Sequence, residues 1–256
     1  MLVGVLPLLW RLSILLLAGV AAGIANGVAG GGNFITFPTL LGLGIPALQA
    51  NLSTSVGVVP SYLGSLRLYR HDLARHRALI RTLLPPCVVG TLTGCALLLN
   101  GSPSTFRSVV PYLIGAGTVL FGASPLITRA LANVDQAHPL RRWSLYVGLF
   151  LISVYGGYFG AGIGILLLAV MALALPLEID ELQGLRNILS IIINACAAIV
   201  FIIHGHLAVQ AVTMLLIGTL IGGWLGALFI VRLSPTAVRV LVIVVGVATT
   251  IKLAIR

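Results

Sequence analysis

Arg186-Asn187 opens an otherwise apolar run that also carries Ser190 and Asn194, with Gln183 just ahead. An earlier run opens in the same way, with Gln49, Asn51, Ser53, Thr54 and Ser55. These side chains can do one kind of chemistry well. A guanidinium fork matches the oxygens of a planar or tetrahedral oxyanion, and hydroxyls and amides donate to the same oxygens without adding charge. If each cluster marks a helix start, unpaired N–H groups and the positive dipole end would add to the attraction for an anion. A competing reading puts Arg186 at the membrane interface, paired with Glu178, Asp180 or Glu181. The five acids (Asp72, Asp135, Glu178, Asp180, Glu181) all fall in loops or at segment ends, so no mid-span proton-relay carboxylate is visible.

The elements that would hold these groups are interrupted by glycine. Gly27-Val28-Ala29-Gly30-Gly31-Gly32-Asn33-Phe34 separates two apolar runs, and Gly157-Tyr158-Phe159-Gly160-Ala161-Gly162-Ile163-Gly164 does so again later. Glycine inside a helix costs about 1 kcal/mol relative to alanine, and broken backbone survives in a bilayer only where protein or water covers it. Paired breaks in a duplicated chain point to a transporter's binding site. Gly30, Gly31, Gly32, Asn33, Ser53, Thr54, Ser55, Gly160, Gly162, Gly164, Arg186, Asn187 and Ser190 are therefore the candidate substrate-binding residues.

The chain of 256 residues is 59% hydrophobic and 8% charged, the composition of a multi-pass membrane protein with no room for a soluble domain beside it. Its net charge of +10 comes from arginines between apolar runs, which orient helices rather than bind nucleic acid. Cys87, Cys95 and Cys196 lie inside apolar segments without metal spacing. Gly30-Gly31-Gly32 lacks the Lys and Ser/Thr of a phosphate loop, and no catalytic triad or metal cluster appears, so neither an enzyme nor a cofactor is expected. His204 and His206 read as solvated loop residues before any proton role. The first apolar run could pass for a signal-peptide core, but it continues into a glycine cluster with a later counterpart, so a retained helix is expected.

Ten apolar segments can be drawn, near residues 12–28, 34–44, 52–68, 79–99 and 109–127, then 145–158, 163–175, 188–203, 207–231 and 238–251. The expected fold is all-α and polytopic, with 8–10 membrane helices in two inverted repeats, the first two segments of each being short or broken at glycines. The repeats occupy residues 1–128 and 143–256, joined by a cytoplasmic linker at 129–142. Gly27, Gly30, Gly32 and Pro46 match Gly157, Gly160, Gly162 and Pro176 at a constant offset. After a short insertion near Leu177 to Asp180, Gln49 and Leu73 match Gln183 and Leu207. Gly90, Gly94, Ser102, Pro103 and Arg107 then match Gly222, Gly226, Ser234, Pro235 and Arg239. Gly90-xxx-Gly94 and Gly222-xxx-Gly226 read as close helix-packing sites. Arg67, Arg70, Arg75, Arg77 and Arg81 make one loop cytoplasmic, and Arg129, Arg141 and Arg142 do the same for the linker. The equivalent loop of the second half, Ile203-His204-Gly205-His206, has no Lys or Arg, so both termini are expected outside.

On Gly30-Gly31-Gly32 with Pro38, Ala50, Ser53-Thr54-Ser55, the second copy Gly156 to Gly164, and the closing Arg107 and Arg239 segments, the chain resembles the TauE/SafE sulfite exporter family over nearly its whole length. The resemblance implies transport of small sulfur anions such as sulfite or sulfonates across the bacterial inner membrane. Two departures stand out: a small residue, Ala172, where the family often has proline, and Arg186-Asn187 where Thr or Ser is frequent. The expected activity is secondary transport of a small sulfur-containing oxyanion by alternating access. The competing classes are a passive anion channel and a non-transporting membrane scaffold or assembly factor. The expected partners are the small anion and the lipid bilayer, with no nucleic acid; the sequence leaves room for a homo-oligomer.

Overall fold

A computed structural model describes residues 2–28, 30–63, 75–131, 141–229 and 235–254. Ten α-helices run through them: α1 (Leu2–Val28), α2 (Asn33–Gly42), α3 (Ala47–Gly57), α4 (Arg77–Asn100), α5 (Pro103–Leu131), α6 (Arg141–Tyr158), α7 (Ile163–Ala174), α8 (Ile179–His204), α9 (Val209–Phe229) and α10 (Pro235–Ala254). A 3-10 turn, Val59–Tyr62, follows α3. No strand occurs among the described residues. Each sequence segment overlaps one of these helices, the third and ninth segments running on into residues that are not described. Arg67, Arg70 and Asp72 of the arginine-rich loop, Asp135 of the linker and Ser234 lie outside the described residues.

Five stretches are long and apolar enough to cross a membrane among the described residues: Leu8–Gly27, Arg77–Asn100, Pro103–Leu126, Ile179–His204 and Val209–Leu228. Large apolar side chains such as Leu17, Val119, Leu151 and Ile199 point outward. That is the arrangement expected of a lipid-facing surface rather than a watery one.

Glycine sets how closely the long helices approach. Along α1, Gly19, Gly23 and Gly27 meet Gly218, Gly222 and Gly226 of α9 in rising order, so the two helices run parallel. Along α4, Gly90 and Gly94 meet Phe150 and Val154 of α6, also in parallel. A Cβ on Gly90 would stand 2.5 Å from the Phe150 carbonyl oxygen, and one on Gly94 would overlap the Val154 carbonyl. The expected packing role of these spacings holds. Helices α5 and α10 are antiparallel, Gly115 facing Thr250 and Gly122 facing Ile243.

The pairings form a pattern. Helix α1 packs on α9 and α6 on α4; α3 packs on α9 and α8 on α4; α2 packs on α10 and α7 on α5. The pairs α1–α2, α6–α7, α2–α3 and α7–α8 are also in contact, and α3–α8 and α5–α10 join the halves.

Two expectations need refinement. Two short or glycine-broken segments per half, as half-helices or as a tilted hairpin, are expected; the break does fall at the glycines, and the first arm is the longer, with 27 residues in α1 and 18 in α6. Only the returning arm is short, α2 with 10 residues and α7 with 12, because the chain turns after the long helix rather than within it. The Arg11 guanidinium donates to the Leu43 carbonyl at 3.2 Å, which ties the end of α2 back beside the start of α1. The polar clusters also do not begin their helices. Helix α8 starts at Ile179, so Arg186, Asn187 and Ser190 lie two to three turns inside it, and Ser53, Thr54 and Ser55 sit in the second half of α3. The acidic turn Glu178 to Glu181 caps α8, with the Glu178 and Glu181 carboxylates receiving backbone N–H groups, and this moves the helix start ahead of the apolar run.

Candidate functional site

The two glycine breaks share one turn and differ at the next: Gly162 is left-handed at φ 78°, whereas its counterpart Gly32 is right-handed at φ -58°. Gly30 and Gly160 both take φ of 78°, the left-handed region that glycine enters without a Cβ clash. Their amides donate to equivalent carbonyls, Gly30 N to Ala25 O at 3.0 Å and Gly160 N to Tyr155 O at 3.1 Å. The returning helices nevertheless share their first hydrogen bond, with Ile35 N on Gly32 O at 3.0 Å and Ile165 N on Gly162 O at 3.1 Å. Each break is pinned from the helix before it. Asn26 accepts the Gly32 amide at 2.6 Å and donates to Ser61 at 2.9 Å, and the Tyr155 hydroxyl donates to the Ala161 carbonyl at 2.7 Å.

The breaks touch in the protein interior. A Cβ on Gly30 would stand 3.7 Å from Gly164 Cα, and one on Gly160 would stand 3.4 Å from Asn33 Nδ2. Gly164 in turn faces Arg186, whose Cδ would lie 3.6 Å from a Cβ there. The starts of α2 and α7 thus lie where the breaks meet. The helix N-termini that bear on this region are those two, not the starts of α3 and α8.

Arg186 is 5% exposed, the one charged residue found buried among those whose side-chain exposure is described. Its Nη2 donates to Asn187 Oδ1 at 3.0 Å. An arginine only donates, so this bond fixes the Asn187 amide with its oxygen toward the guanidinium and its Nδ2 turned away. That Nδ2 is buried without a hydrogen-bond partner, as is Thr54 Oγ1; a third such atom, Ser153 Oγ, lies near Gly90 at the α4–α6 contact. Leaving a buried polar atom unmatched costs about 1–3 kcal/mol, so each one calls for a reason. Tyr62, also buried, shares a hydrogen bond with Asn194 and lies within electrostatic reach of Arg186.

The neighbouring acids are occupied elsewhere. Glu181 meets Arg75 at 3.5 Å and His76 at 3.1 Å, bridging the approach to α4 and the start of α8. Glu178 caps its own helix, and Asp180 is exposed.

The remaining sequence candidates divide by what they touch. Gly30, Asn33, Gly160, Gly164, Arg186 and Asn187 come together around the contact of the breaks. Thr54 and Ser190 are buried on α3 and α8, which pack on one another. Gly31 lies against Phe121, Gly32 against Asn26 and Gly162 near Phe34. Ser53 Oγ accepts the Ala208 amide at 2.9 Å, and the Ser55 hydroxyl donates back to Asn51 O at 3.0 Å. Sequence reasoning did not single out Asn26, Ser61, Tyr62 or Tyr155. The available signal was an amide in an apolar helix one residue ahead of a glycine cluster.

On one face, the α2–α3 corner borders a cavity of about 790 Å³ whose lining includes Pro38, Gly44, Arg107, Val245 and Thr249. On the other face, the pairing of Glu181 with Arg75 and His76 ties the chain together.

The profile of the family described as "Sulfite exporter TauE/SafE" matches residues 15–253. A "Probable membrane transporter protein" of Haemophilus influenzae is 24% identical over 244 residues, covering 94% of this chain and 94% of its own. "Probable membrane transporter protein ORF9" of a Sinorhizobium species is 24% identical over 246 residues, covering 94% and 92%. "Probable membrane transporter protein YfcA" of Escherichia coli K12 is 22% identical over 254 residues, covering 96% and 90%. No solved structure matches the chain significantly.

Proposed function

We propose that this chain, which belongs to the TauE/SafE sulfite exporter family of membrane transporters, carries a small sulfur-containing oxyanion across the bacterial inner membrane by alternating access. The observation that carries the reading is the burial of Arg186 beside two touching glycine breaks, together with the unpartnered donors Thr54 Oγ1 and Asn187 Nδ2. A buried arginine inside a membrane domain is costly and is kept for a function. The guanidinium and the Asn187 Nδ2 can only donate, which favours an anion.

Alternating access rests on two inverted repeats, α1–α5 and α6–α10. The helix pairings support this, since exchanging one set for the other turns α1–α9 into α6–α4, α3–α9 into α8–α4 and α2–α10 into α7–α5. The cavity at the α2–α3 corner and the ion-paired opposite face are what a carrier open to one side would have; a channel needs a path through both. The arginine-rich loop makes the ion-paired face cytoplasmic.

Flux measured in reconstituted vesicles with sulfite, thiosulfate and simple sulfonates tests the reading. Saturable uptake that Arg186→Gln weakens by tenfold or more in half-saturation supports it. Wild-type protein that moves none of them, or a variant with unchanged affinity, overturns it.

A further inference from the structure

We infer that the groove between α5 and α10 is a binding site for an anionic phospholipid with a hydroxylated head group, of the phosphatidylglycerol kind. The groove is a cavity of about 600 Å³, walled by α5 on one side and by Thr250 and Leu253 of α10 on the other. That volume suits an organic ligand. Ser104, Ser108, Pro111 and Gly115 line it at spacings of four, three and four residues, so they form one stripe down a single face of α5. The lining changes character along this face: the serines and Arg107 come first, then Pro111, Gly115 and Ala116. The α10 wall is apolar at the lower end, because the Thr250 hydroxyl donates to the Gly246 carbonyl at 2.9 Å and its methyl carbon faces Gly115. A polar end that leads into an apolar trough, about 16 Å from Ser104 to Gly115, has the outline of a lipid head and the first part of its chain.

Depth puts the polar end where lipid head groups lie. The span Pro103–Leu126 has 24 residues, about 36 Å of helix against a hydrocarbon core of about 30 Å. Arg107 stands four residues in, about 6 Å from the helix end, which is the edge of that core. Tyr112 lies a turn deeper and is exposed beside the groove, as an interfacial aromatic side chain would be. Val119 of α5, seven residues on from Tyr112, and Val247 and Ile251 of α10 are exposed as well. This side of the helix pair therefore faces acyl chains.

The groups at the polar end select the head. The exposed Arg107 guanidinium presents a fork of donors that matches a phosphate, and basic pockets between membrane helices hold anionic head groups. Acceptors lie at the same level. Pro111 has no N–H, so the Arg107 carbonyl lacks the donor that would close its helical turn. The Ser108 hydroxyl donates to the Thr105 carbonyl at 2.9 Å, which leaves its oxygen to accept. A glycerol head supplies hydroxyls to these acceptors while its phosphate meets Arg107. A choline head supplies no O–H or N–H and brings a second cation toward Arg107. Arg107 also lines the larger cavity at the α2–α3 corner, so an anion free in solution meets the same guanidinium, and the experiment must separate the two sources.

The test uses the intact protein in a neutral detergent. Phosphatidylglycerol or phosphatidylcholine with identical acyl chains is titrated into the micelles, and binding is followed by native mass spectrometry and by thermal unfolding. Phosphatidylglycerol should half-saturate at a concentration about fivefold to tenfold lower than phosphatidylcholine, and Arg107→Gln should bring the two lipids level. Gly115→Leu fills the trough and should weaken both lipids. Arg81→Gln, at an exposed arginine on α4, should alter neither. Equal half-saturation by the two lipids, an unchanged preference in Arg107→Gln, or an equal loss in Arg81→Gln overturns the site. Glycerol 3-phosphate carries the head without the chains and should leave bound phosphatidylglycerol in place at about tenfold excess. Displacement at that concentration would make the occupant a free anion, and the lipid site would fall.

Discussion

Replacing Thr54 with valine exchanges a hydroxyl for a methyl group at nearly constant shape. Thr54 is 1% exposed and its Oγ1 has no hydrogen-bond partner. If that hydroxyl serves only the anion, it is a liability in the empty protein, where an unmatched buried polar atom costs about 1–3 kcal/mol. Thr54→Val should then raise the stability of the anion-free protein by about 1 kcal/mol, at the lower end because a hydroxyl can rotate toward weak acceptors. The anion-bound protein should move in the opposite direction. A hydrogen bond to a charged group contributes about 1.5–3 kcal/mol, or about 10-fold to 150-fold in affinity. At an anion concentration of 100 Kd, ligand linkage stabilises wild type by about 2.7 kcal/mol. A tenfold weaker variant at that concentration keeps only about 1.4 kcal/mol of it. The two proteins should therefore cross: the variant is the more stable one without anion and loses that advantage when anion is added. Thermal unfolding in detergent across an anion titration reads both quantities in one experiment. A variant less stable than wild type without anion would show that the hydroxyl has a structural partner. An unchanged response to anion would show that Thr54 does not meet it.

Other outcomes follow from the same contacts. Gly94→Ile drives a branched side chain into the Val154 carbonyl and should separate α4 from α6; overpacking of about 1–3 kcal/mol or more should appear as a lower unfolding temperature and aggregation on size exclusion. Glu181→Gln removes the charge that Arg75 and His76 share, and because Arg75 is largely exposed, the unfolding midpoint should stay close to wild type. If this pairing closes the cytoplasmic face, the variant should change transport rate with little change in anion affinity, and an unchanged rate would remove it as a closure. His204→Cys should react with a membrane-impermeant thiol reagent in intact cells, whereas Arg81→Cys should be protected until the cells are opened; the reverse pattern would invert the proposed topology.

Much of the fold was legible because glycine and apolar length carry information about the backbone. Segment lengths separated the short returning arms from the spanning helices, and the repeated glycines foretold two turns whose key residues, Gly30 and Gly160, adopt the same left-handed φ. What hydropathy cannot report is the side of a helix that a polar residue occupies. The run Ile179 to Asn187 looked like a loop leading into a membrane segment; it is the first part of α8, and its polar members Arg186 and Asn187 turn inward. That misreading moved the helix dipole to the wrong place, α8 rather than α2 and α7. Asn26 escaped notice for a related reason. It forms no motif, and its importance lies in bonding across the break to Gly32 and across the fold to Ser61.

The location of the cost in this fold also bears on how a carrier would work. The parallel helix pairs α1–α9 and α4–α6 are held by backbone approach through glycines, so they behave as rigid arms that a small side chain would already disturb. Apart from Ser153 Oγ at the α4–α6 contact, the unfavourable features lie elsewhere, between the arms: a buried cation, two unmatched donors and the left-handed glycines Gly30, Gly160 and Gly162. On the proposed reading an anion gives the two donors an acceptor. The loaded site then matches Thr54 Oγ1 and Asn187 Nδ2, while the empty site leaves both unmatched. Passage of the loaded site between the two faces should cost less than passage of the empty one. A transporter built in this way should therefore exchange anion for anion faster than it moves anion alone, and equal rates of exchange and net flux in vesicles would count against the matching of these donors as the step that permits the motion.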